Sequence, residues 1–187
     1  MNMHPPDLPG TLTRQAGMQA LEQAARTAAD AKKALAVLTL DVDHFKPWHD
    51  EVGDTKSNAA LARLVEVLKQ ALPAGTPVVH LGSDEFFVLL PNQDIASAQA
   101  LAEQLRTAIA QGLVSFDASP PLSVTLGVAA SPPQGSWTGQ ALLALADMRM
   151  TFAKRRLVPH HNLVWAGTLP SDWYARLDID PARWPAL

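Results

Sequence analysis

The sequence predicts an α/β fold in which a mixed central β-sheet is flanked by helices. Apolar runs typical of buried strands alternate with segments of helical periodicity, and two of the strand-like runs are separated only by the turn residues Gly-Ser-Asp-Glu. The chain has 187 residues, of which 48% are hydrophobic, which is enough for one well-buried core. Strands and helices interleaved around one hairpin favour a mixed sheet with helices packed on it.

The first half of the chain predicts two helices around one central strand. Residues 12–32 are Ala-rich with apolar side chains at helical spacing. Residues 34–42 form an apolar run that is short and rich in β-formers, which favours a buried strand. A loop or short helical turn follows over 43–53, and an apolar stripe then predicts a helix over 55–72 with Asp54 as its N-cap.

The second half predicts a hairpin, two more helices and two more strands. The hairpin covers 77–91, with its turn at Gly-Ser-Asp-Glu. The elements that follow are a helix over 95–113, a strand over 122–130, a helix over 138–157 and a short strand over 162–165. The predicted order is therefore α-β-α-β-β-α-β-α-β.

Composition excludes several classes of partner and ligand. The formal net charge of −3 lacks the basic excess of proteins that bind nucleic acids or anionic membranes. The chain contains no cysteine, so disulfides and thiolate metal sites are excluded and any metal must be bound by oxygen or imidazole. No apolar run reaches the length of a membrane span, and the N-terminus MNMHPPDLPG is polar. We therefore expect a cytoplasmic protein without nucleic-acid or membrane partners.

Four carboxylates lie at the ends of the predicted strands. Asp41 and Asp43 are two residues apart, so in a strand they share a face, and Asp84 and Glu85 lie in the hairpin turn. If the hairpin lies beside the first strand, these acids repel one another unless a cation such as Mg²⁺ or Mn²⁺ is bound. In the alternative, the turn acids are solvated, Asp43 and Glu85 pair with lysines such as Lys46, and the hairpin never approaches that strand.

Five segments together resemble one known family. They are "DLPGTLTR", which begins at Asp7, "LDVDHFKPWHDEVG", "HLGSDEFFVLL", "VTLGVA" and "LADMRMTFAKRR". In this order and spacing they resemble the GGDEF domain of bacterial diguanylate cyclases. The resemblance implies a palm-like α/β fold, as in type III nucleotidyl cyclases. It also implies a GGDEF domain over 1–165 and a Trp- and Pro-containing C-terminal extension over 166–187.

The resemblance implies a metal-dependent reaction of GTP. Asp41, the backbone of Val42 and Asp84 are then expected to hold two Mg²⁺ (or Mn²⁺) ions, and Glu85 to support the catalytic site. The expected substrate contacts are at Phe45, Lys46, His49, Asn58, Gly82, Ser83 and Lys154. Two domains in a homodimer are expected to join two GTP molecules into cyclic di-GMP. For Lys154, a Lys-Arg-Arg run at a helix end also complements the helix dipole without any ligand.

Two departures from the family pattern concern base recognition. His49 and Asn58 occupy positions where the family has an Asn and an Asp that read guanine. A carboxylate accepts from the guanine N1–H and N2–H donors better than an amide does, and the loss is worth about tenfold in affinity. GTP and ATP therefore both remain candidate substrates.

Further departures lie at the hairpin turn and near the end of the domain. Ser83 replaces a glycine that the family uses for an unusual backbone conformation. Asp54 replaces a histidine and Ser57 a glycine. A family arginine has no clear counterpart, with His161 the nearest candidate. The family's Arg-x-x-Asp product-inhibition motif falls at 73–76, where the chain reads Pro-Ala-Gly-Thr, so we expect no feedback inhibition through that site.

The sequence alone is compatible with two functions from different classes. One is an atypical diguanylate cyclase, which the acids Asp41, Asp84 and Glu85 favour. The other is a catalytically degenerate domain that regulates by binding a nucleotide or a protein partner. The aromatic C-terminal tail, with Trp173, Tyr174 and Trp184, either packs on the domain or presents an anchor to such a partner.

Overall fold

A computed structural model describes residues 8–157, 161–175 and 180–187; Asp7 of the opening motif lies outside them. The helices are α1 (Arg14–Ala31), α2 (Phe45–Ala71), α3 (Ile95–Gly112), α4 (Gly139–Arg156) and α5 (Ser171–Ala175). The strands are β1 (Leu35–Asp43), β2 (Val78–Gly82), β3 (Glu85–Pro91), β4 (Ser123–Ala130) and β5 (Val164–Trp165). Short 3₁₀ turns cover Val114–Phe116 and Pro181–Arg183.

The strands form one five-stranded mixed sheet in the order β2-β3-β1-β4-β5. β1 lies at its centre and pairs antiparallel with both β3 and β4, while β4 and β5 pair in parallel. The prediction of a mixed sheet flanked by helices is therefore confirmed. The central place of β1 agrees with its burial, because both faces of this strand are covered.

Most predicted elements lie within two residues of the observed ones, and the differences have local causes. The first helix begins at Arg14 and not at residue 12, because Leu12 pairs with Val79 of β2 and Thr13 caps the helix by accepting from the Ala16 N–H. The last strand is shorter than predicted and covers only two residues. The helix α5 was not predicted.

The largest difference from the prediction lies in α2. The helix already begins at Phe45, so most of 43–53, predicted as a loop or short helical turn, belongs to a long helix. Gly53, with φ 78° and ψ 176°, breaks the helix into two segments. The predicted N-cap was wrong, because Gly53 occupies the non-helical position before the second segment and Asp54 is its first helical residue. Only glycine adopts such a conformation at low cost, which explains the position of the break.

The core has one apolar cluster on each face of the sheet. The first includes Leu38, Leu40 and Phe86 of the strands and packs under α2 and α3. The second includes Val37 and Phe87 and packs under α1 and α4. Because β-strand side chains alternate, neighbouring residues of β1 contribute to opposite clusters.

The C-terminal tail packs on the second cluster. Leu169, Trp173 and Tyr174 are buried there, and Trp184 lies partly buried against it. The fully buried Arg149 of α4 donates to the carbonyl of Pro185 at 2.9 Å, which ties the end of the chain to the domain. Of the two alternatives for the tail aromatics, packing on the domain is therefore the one that the structure supports. Within the described ranges, no helix is long and apolar enough to cross a membrane.

Candidate functional site

The hairpin turn lies directly beside the end of β1. Asp41 is paired with Glu85 in the β1–β3 register, and the Val42 N–H donates to the carbonyl of Asp84 at 3.3 Å. The alternative in which the hairpin stays away from this strand is wrong. Lys46 is also not the partner of Asp43 or Glu85, since it is 87% exposed and lies 3.7 Å from Asp50.

Asp43 is buried and connects the end of β1 to neighbouring segments through hydrogen bonds. Its carboxylate is fully buried and accepts from the hydroxyls of Ser123 at 2.7 Å and Thr125 at 2.8 Å. It also accepts from the backbone N–H of Asn162 at 2.8 Å, and Nδ1 of His161 lies 3.4 Å away. The sequence reasoning missed this role, because the hydroxyl donors come from β4, about eighty positions further along the chain.

Lys154 brings a positive charge to these acids. Its amino group donates to Oδ1 of Asp41 and lies 3.5 Å from Oδ1 of Asp43. Asp41 and Asp43 therefore share a face, as predicted. Since Lys154 is in the last turn of α4, it complements the helix dipole and contacts the carboxylates at the same time.

Burial, more than the neighbouring charges, sets the ionisation of Asp41. Burial raises the pKa of Asp41 to about 6 against the opposing effect of Lys154, and the charges of Asp84 and Glu85 raise it further. Burial, followed by the charges of Asp147 and Asp84, also raises the pKa of Glu85. An additional cation near these oxygens would relieve this repulsion.

The turn itself has a constrained geometry. Gly82 and Ser83 have φ values of 128° and 50°, so Ser83 occupies the left-handed region that favours glycine. The Ser83 hydroxyl donates to Oδ1 of Asp84 at 2.8 Å, and Nε2 of His80 donates to the Ser83 carbonyl at 2.9 Å. These contacts hold the Asp84 side chain at the tip of the hairpin.

The N-terminus of α2 follows immediately after β1. His44, at the cap position with φ 59°, makes no side-chain capping bond. The Phe45 side chain is buried and lies against Trp48, so only its backbone could meet a polar ligand. Uncapped N–H groups at a helix start favour anions such as phosphate, and the exposed Lys46 adds a positive charge there.

The two expected base-recognition residues differ in their surroundings. Nδ1 of His49 lies 2.8 Å from Oγ of Ser57, and its Nε2 lies 3.3 Å from Oδ1 of Asp54. The adjacent Asn58 is partly buried, and its amide makes no hydrogen bond within the described ranges. His49 is therefore held by its own chain, whereas the Asn58 amide is available.

The donor set near the turn fits a hard divalent cation. Asp41, Asp84 and the backbone carbonyl of Val42 supply only oxygen, which suits Mg²⁺ and Mn²⁺. In the described parts of the chain, no three His, Asp or Glu side chains converge as a ready-made metal site. A metal would have to be completed by backbone and substrate oxygens.

Comparison with known proteins establishes the family. The family described as "Diguanylate cyclase, GGDEF domain" matches residues 8–157, which is most of the chain. The chain therefore belongs to the GGDEF domain family of diguanylate cyclases, which act in cyclic di-GMP signalling.

Individual relatives agree with this assignment. The chain is 33% identical over 149 residues to the diguanylate cyclase DgcP of Pseudomonas aeruginosa, covering 79% of this chain and 22% of DgcP. The first curated relatives it matches are longer, and the chain spans a third of their length or less.

Solved structures confirm the GGDEF fold. The GGDEF domain of DgcB from Caulobacter crescentus, in complex with c-di-GMP, has a TM-score of 0.75 at 19% identity and covers 88% of this chain and 94% of its own. The diguanylate cyclase SiaD of Pseudomonas aeruginosa, in complex with its activator SiaC, has a TM-score of 0.75 at 20% identity, covering 86% of this chain and 60% of SiaD. At these identities the likeness concerns the fold alone.

Proposed function

We propose that this domain is an atypical diguanylate cyclase that condenses two GTP molecules into cyclic di-GMP and two molecules of pyrophosphate with Mg²⁺ or Mn²⁺. The observation that carries the proposal is the assembly of Asp41, Asp84 and Glu85 at one end of the sheet, beside Lys154 and the uncapped start of α2. Family membership supports the reaction type.

Each part of this site has a distinct task in the proposed reaction. Asp41, Asp84 and the Val42 carbonyl would hold the cation, which would supply charge compensation at the phosphates and activation of the attacking hydroxyl. The backbone of Phe45, with Lys46, binds the triphosphate at the helix start.

Lys154 exchanges partners when substrate binds. Its amino group contacts Asp41 and Asp43 in the free protein. With a cation held at Asp41, Lys154 would be free to contact the phosphates of the substrate. Asp43 does not take part in this exchange, because its carboxylate is fully buried and bonded to Ser123 and Thr125.

The reaction requires two subunits. The 3′-hydroxyl of each GTP attacks the α-phosphate of the other, pyrophosphate leaves, and two domains facing each other complete one active site. The loop at 73–76 presents Pro-Ala-Gly-Thr, without a charged side chain to bind a phosphate, so we propose that product inhibition through this loop is absent.

A second candidate function is a regulatory domain without turnover. The contacts of His49 with Ser57 and Asp54 favour it, because this side chain cannot turn to a base without breaking them. In that case the domain acts by nucleotide occupancy or through a protein partner.

Product analysis separates the two functions. The purified protein is incubated with Mg²⁺ or Mn²⁺ and GTP, at concentrations that permit dimerisation, and the products are identified by mass spectrometry. Cyclic di-GMP supports the cyclase. Absence of any cyclic dinucleotide from folded protein at these concentrations contradicts the cyclase and favours the regulatory function.

The variant Asp84→Ala tests the proposed metal site. We expect turnover to be abolished while the circular dichroism spectrum is retained, because the side chain lies at the tip of the turn and outside the core. Asp30→Ala, which removes an exposed carboxylate near the end of α1, is the matched control and should keep full activity. Unchanged turnover in Asp84→Ala would eliminate the proposed metal site.

A further inference from the structure

Three residues in α2 that depart from the family pattern form one interacting network. Oγ of the fully buried Ser57 lies 2.8 Å from Nδ1 of His49 and 2.9 Å and 3.1 Å from the carbonyls of Gly53 and Asp54. The Asp54 carboxylate lies 3.3 Å from the other ring nitrogen of His49. These contacts bridge the break at Gly53 and hold the two segments of α2 together.

This network determines which side chain can contact a base. Both ring nitrogens of His49 lie beside polar atoms of its own chain, and the ring packs near Phe45, with centroids 6.0 Å apart. Asn58 follows Ser57 directly, and in the described parts of the chain its amide has no hydrogen-bond partner. In the proposed nucleotide site, where the resemblance places the base contacts at His49 and Asn58, base discrimination would then fall to the amide of Asn58.

An amide and a carboxylate select different base edges. A carboxylate offers two acceptors, which fit the adjacent N1–H and N2–H donors of guanine and repel the N1 lone pair of adenine. An amide offers one acceptor and one donor, which fit the N6–H donor and the N1 acceptor of adenine. Opposite the N1–H and N2–H donors of guanine, the amide oxygen can accept one hydrogen bond, but the amide NH₂ faces a second donor. Guanine fits the amide only if the base shifts so that its O6 accepts from the NH₂ group.

From the His49–Asp54–Ser57 network and the unpartnered Asn58 amide, we propose that this site accepts adenine nucleotides and binds ATP at least as tightly as GTP. The inference rests on the proposed function, because it concerns the base position of the same nucleotide site. It extends that function from cyclic di-GMP alone to cyclic dinucleotides that contain adenine when both triphosphates are present.

Competition binding tests this inference without turnover. The full chain is loaded with a fluorescent N-methylanthraniloyl nucleotide and Mg²⁺, and the label is displaced by the α,β-methylene analogues of ATP or GTP, which cannot react at the α-phosphate. We expect the ATP analogue to compete at least as well as the GTP analogue.

The variant Asn58→Asp inverts the expected preference. It should strengthen GTP binding about tenfold and weaken ATP binding about tenfold, so that the affinity ratio moves about a hundredfold toward GTP. Gln70→Glu, the same chemical change at an exposed position of α2, is the control and should leave the ratio unchanged.

The outcomes separate this inference from the proposed function. Tighter binding of the GTP analogue by the wild type, or an unchanged ratio in Asn58→Asp, overturns the inference and leaves the cyclase proposal standing. Failure of both analogues to compete, in protein shown to be folded, overturns the nucleotide site and the inference with it.

Discussion

Two basic residues of α4, five positions apart, have opposite surroundings. Lys154 lies near the surface at the site end and contacts two carboxylates, Asp41 and Asp43. Arg149 is fully buried, and its partners in the described ranges are neutral: the carbonyls of Val128 at 2.7 Å and Pro185 at 2.9 Å, with the hydroxyl of Tyr174 also close enough to affect its pKa.

The contacts of Lys154 are suited to exchange with a ligand, whereas the contacts of Arg149 are fixed by burial. In the proposed site, a metal ion at Asp41 would replace the positive charge of Lys154, and a phosphate would pair with the lysine, so neither group would be left uncompensated. Arg149 has no solvent access and burial lowers its pKa, so losing its partners would leave a buried cation unpaired. One helix therefore carries both the lysine of the proposed ligand site and a structural anchor for the C-terminal tail.

The largest expected effect is the loss of stability on replacing the buried Arg149. Arg149→Ala should lower the free energy of unfolding by about 3 to 5 kcal/mol, because it leaves a cavity and unpaired carbonyl groups in the core. Urea denaturation measures the change. Arg155→Ala, an exposed basic residue of the same helix, should stay within about 0.5 kcal/mol of the wild type. Equal stabilities of the two variants would contradict the role of Arg149 as a structural anchor.

The next largest effect concerns Asp41 and the pH dependence of the unfolding free energy. The pKa of Asp41 is raised from 3.8 to about 6, so the folded state binds more protons in this range and loses stability as the pH rises through it. Asp41→Asn removes this contribution. We expect the loss of unfolding free energy between about pH 4 and pH 7 to be smaller in the variant by about 2 kcal/mol.

Asp94 provides a control of opposite sign for that measurement. The side-chain and backbone hydrogen bonds from Ser97 lower the pKa of Asp94, so this group contributes stability at higher pH that is lost as the pH falls. Asp94→Asn should therefore change the pH dependence in the opposite direction. A shift in the same direction for both variants would contradict the assignment of the effect to Asp41.

The smallest expected effect concerns Tyr174, whose hydroxyl lies near Arg149. The Tyr174 hydroxyl accepts from the backbone N–H of Leu169 at 3.1 Å in a buried position. Tyr174→Phe keeps the ring and should cost about 1 kcal/mol of unfolding free energy, because the N–H loses its acceptor. Chemical denaturation of the single variant and of the double variant with Arg149→Ala would also test coupling: fully additive losses would argue against a shared network.

The fold was largely predictable because its signals are local. The apolar run of β1 and the helical spacing of α1 and α3 lie within short windows of sequence, so their type and approximate bounds follow from periodicity. The start of α2 was predicted too late, since the helix begins at Phe45 and continues across a break at Gly53. Glycine and proline inside a segment signal a loop in sequence, but the packing of Phe45 and Trp48 overrides that signal.

The candidate site was predictable in its residue types but not in its contacts. The sequence singles out the acids Asp41, Asp84 and Glu85, and the structure brings them together at one strand end. Their assigned roles in binding metal and substrate remain predictions. The contacts of Asp43 with Ser123 and Thr125 could not be inferred, because they join distant parts of the chain.

The sequence by itself determined the family, the order of the elements and the identity of the acidic residues, because periodicity and motif spacing are properties of short segments. The tertiary structure alone decided that Lys154 contacts Asp41, that His49 is held by Ser57, and that Arg149 anchors the tail through Pro185. The physical reason is that hydrogen bonds and ion pairs depend on side-chain positions within a few ångströms, which only the packing of helices on the sheet defines.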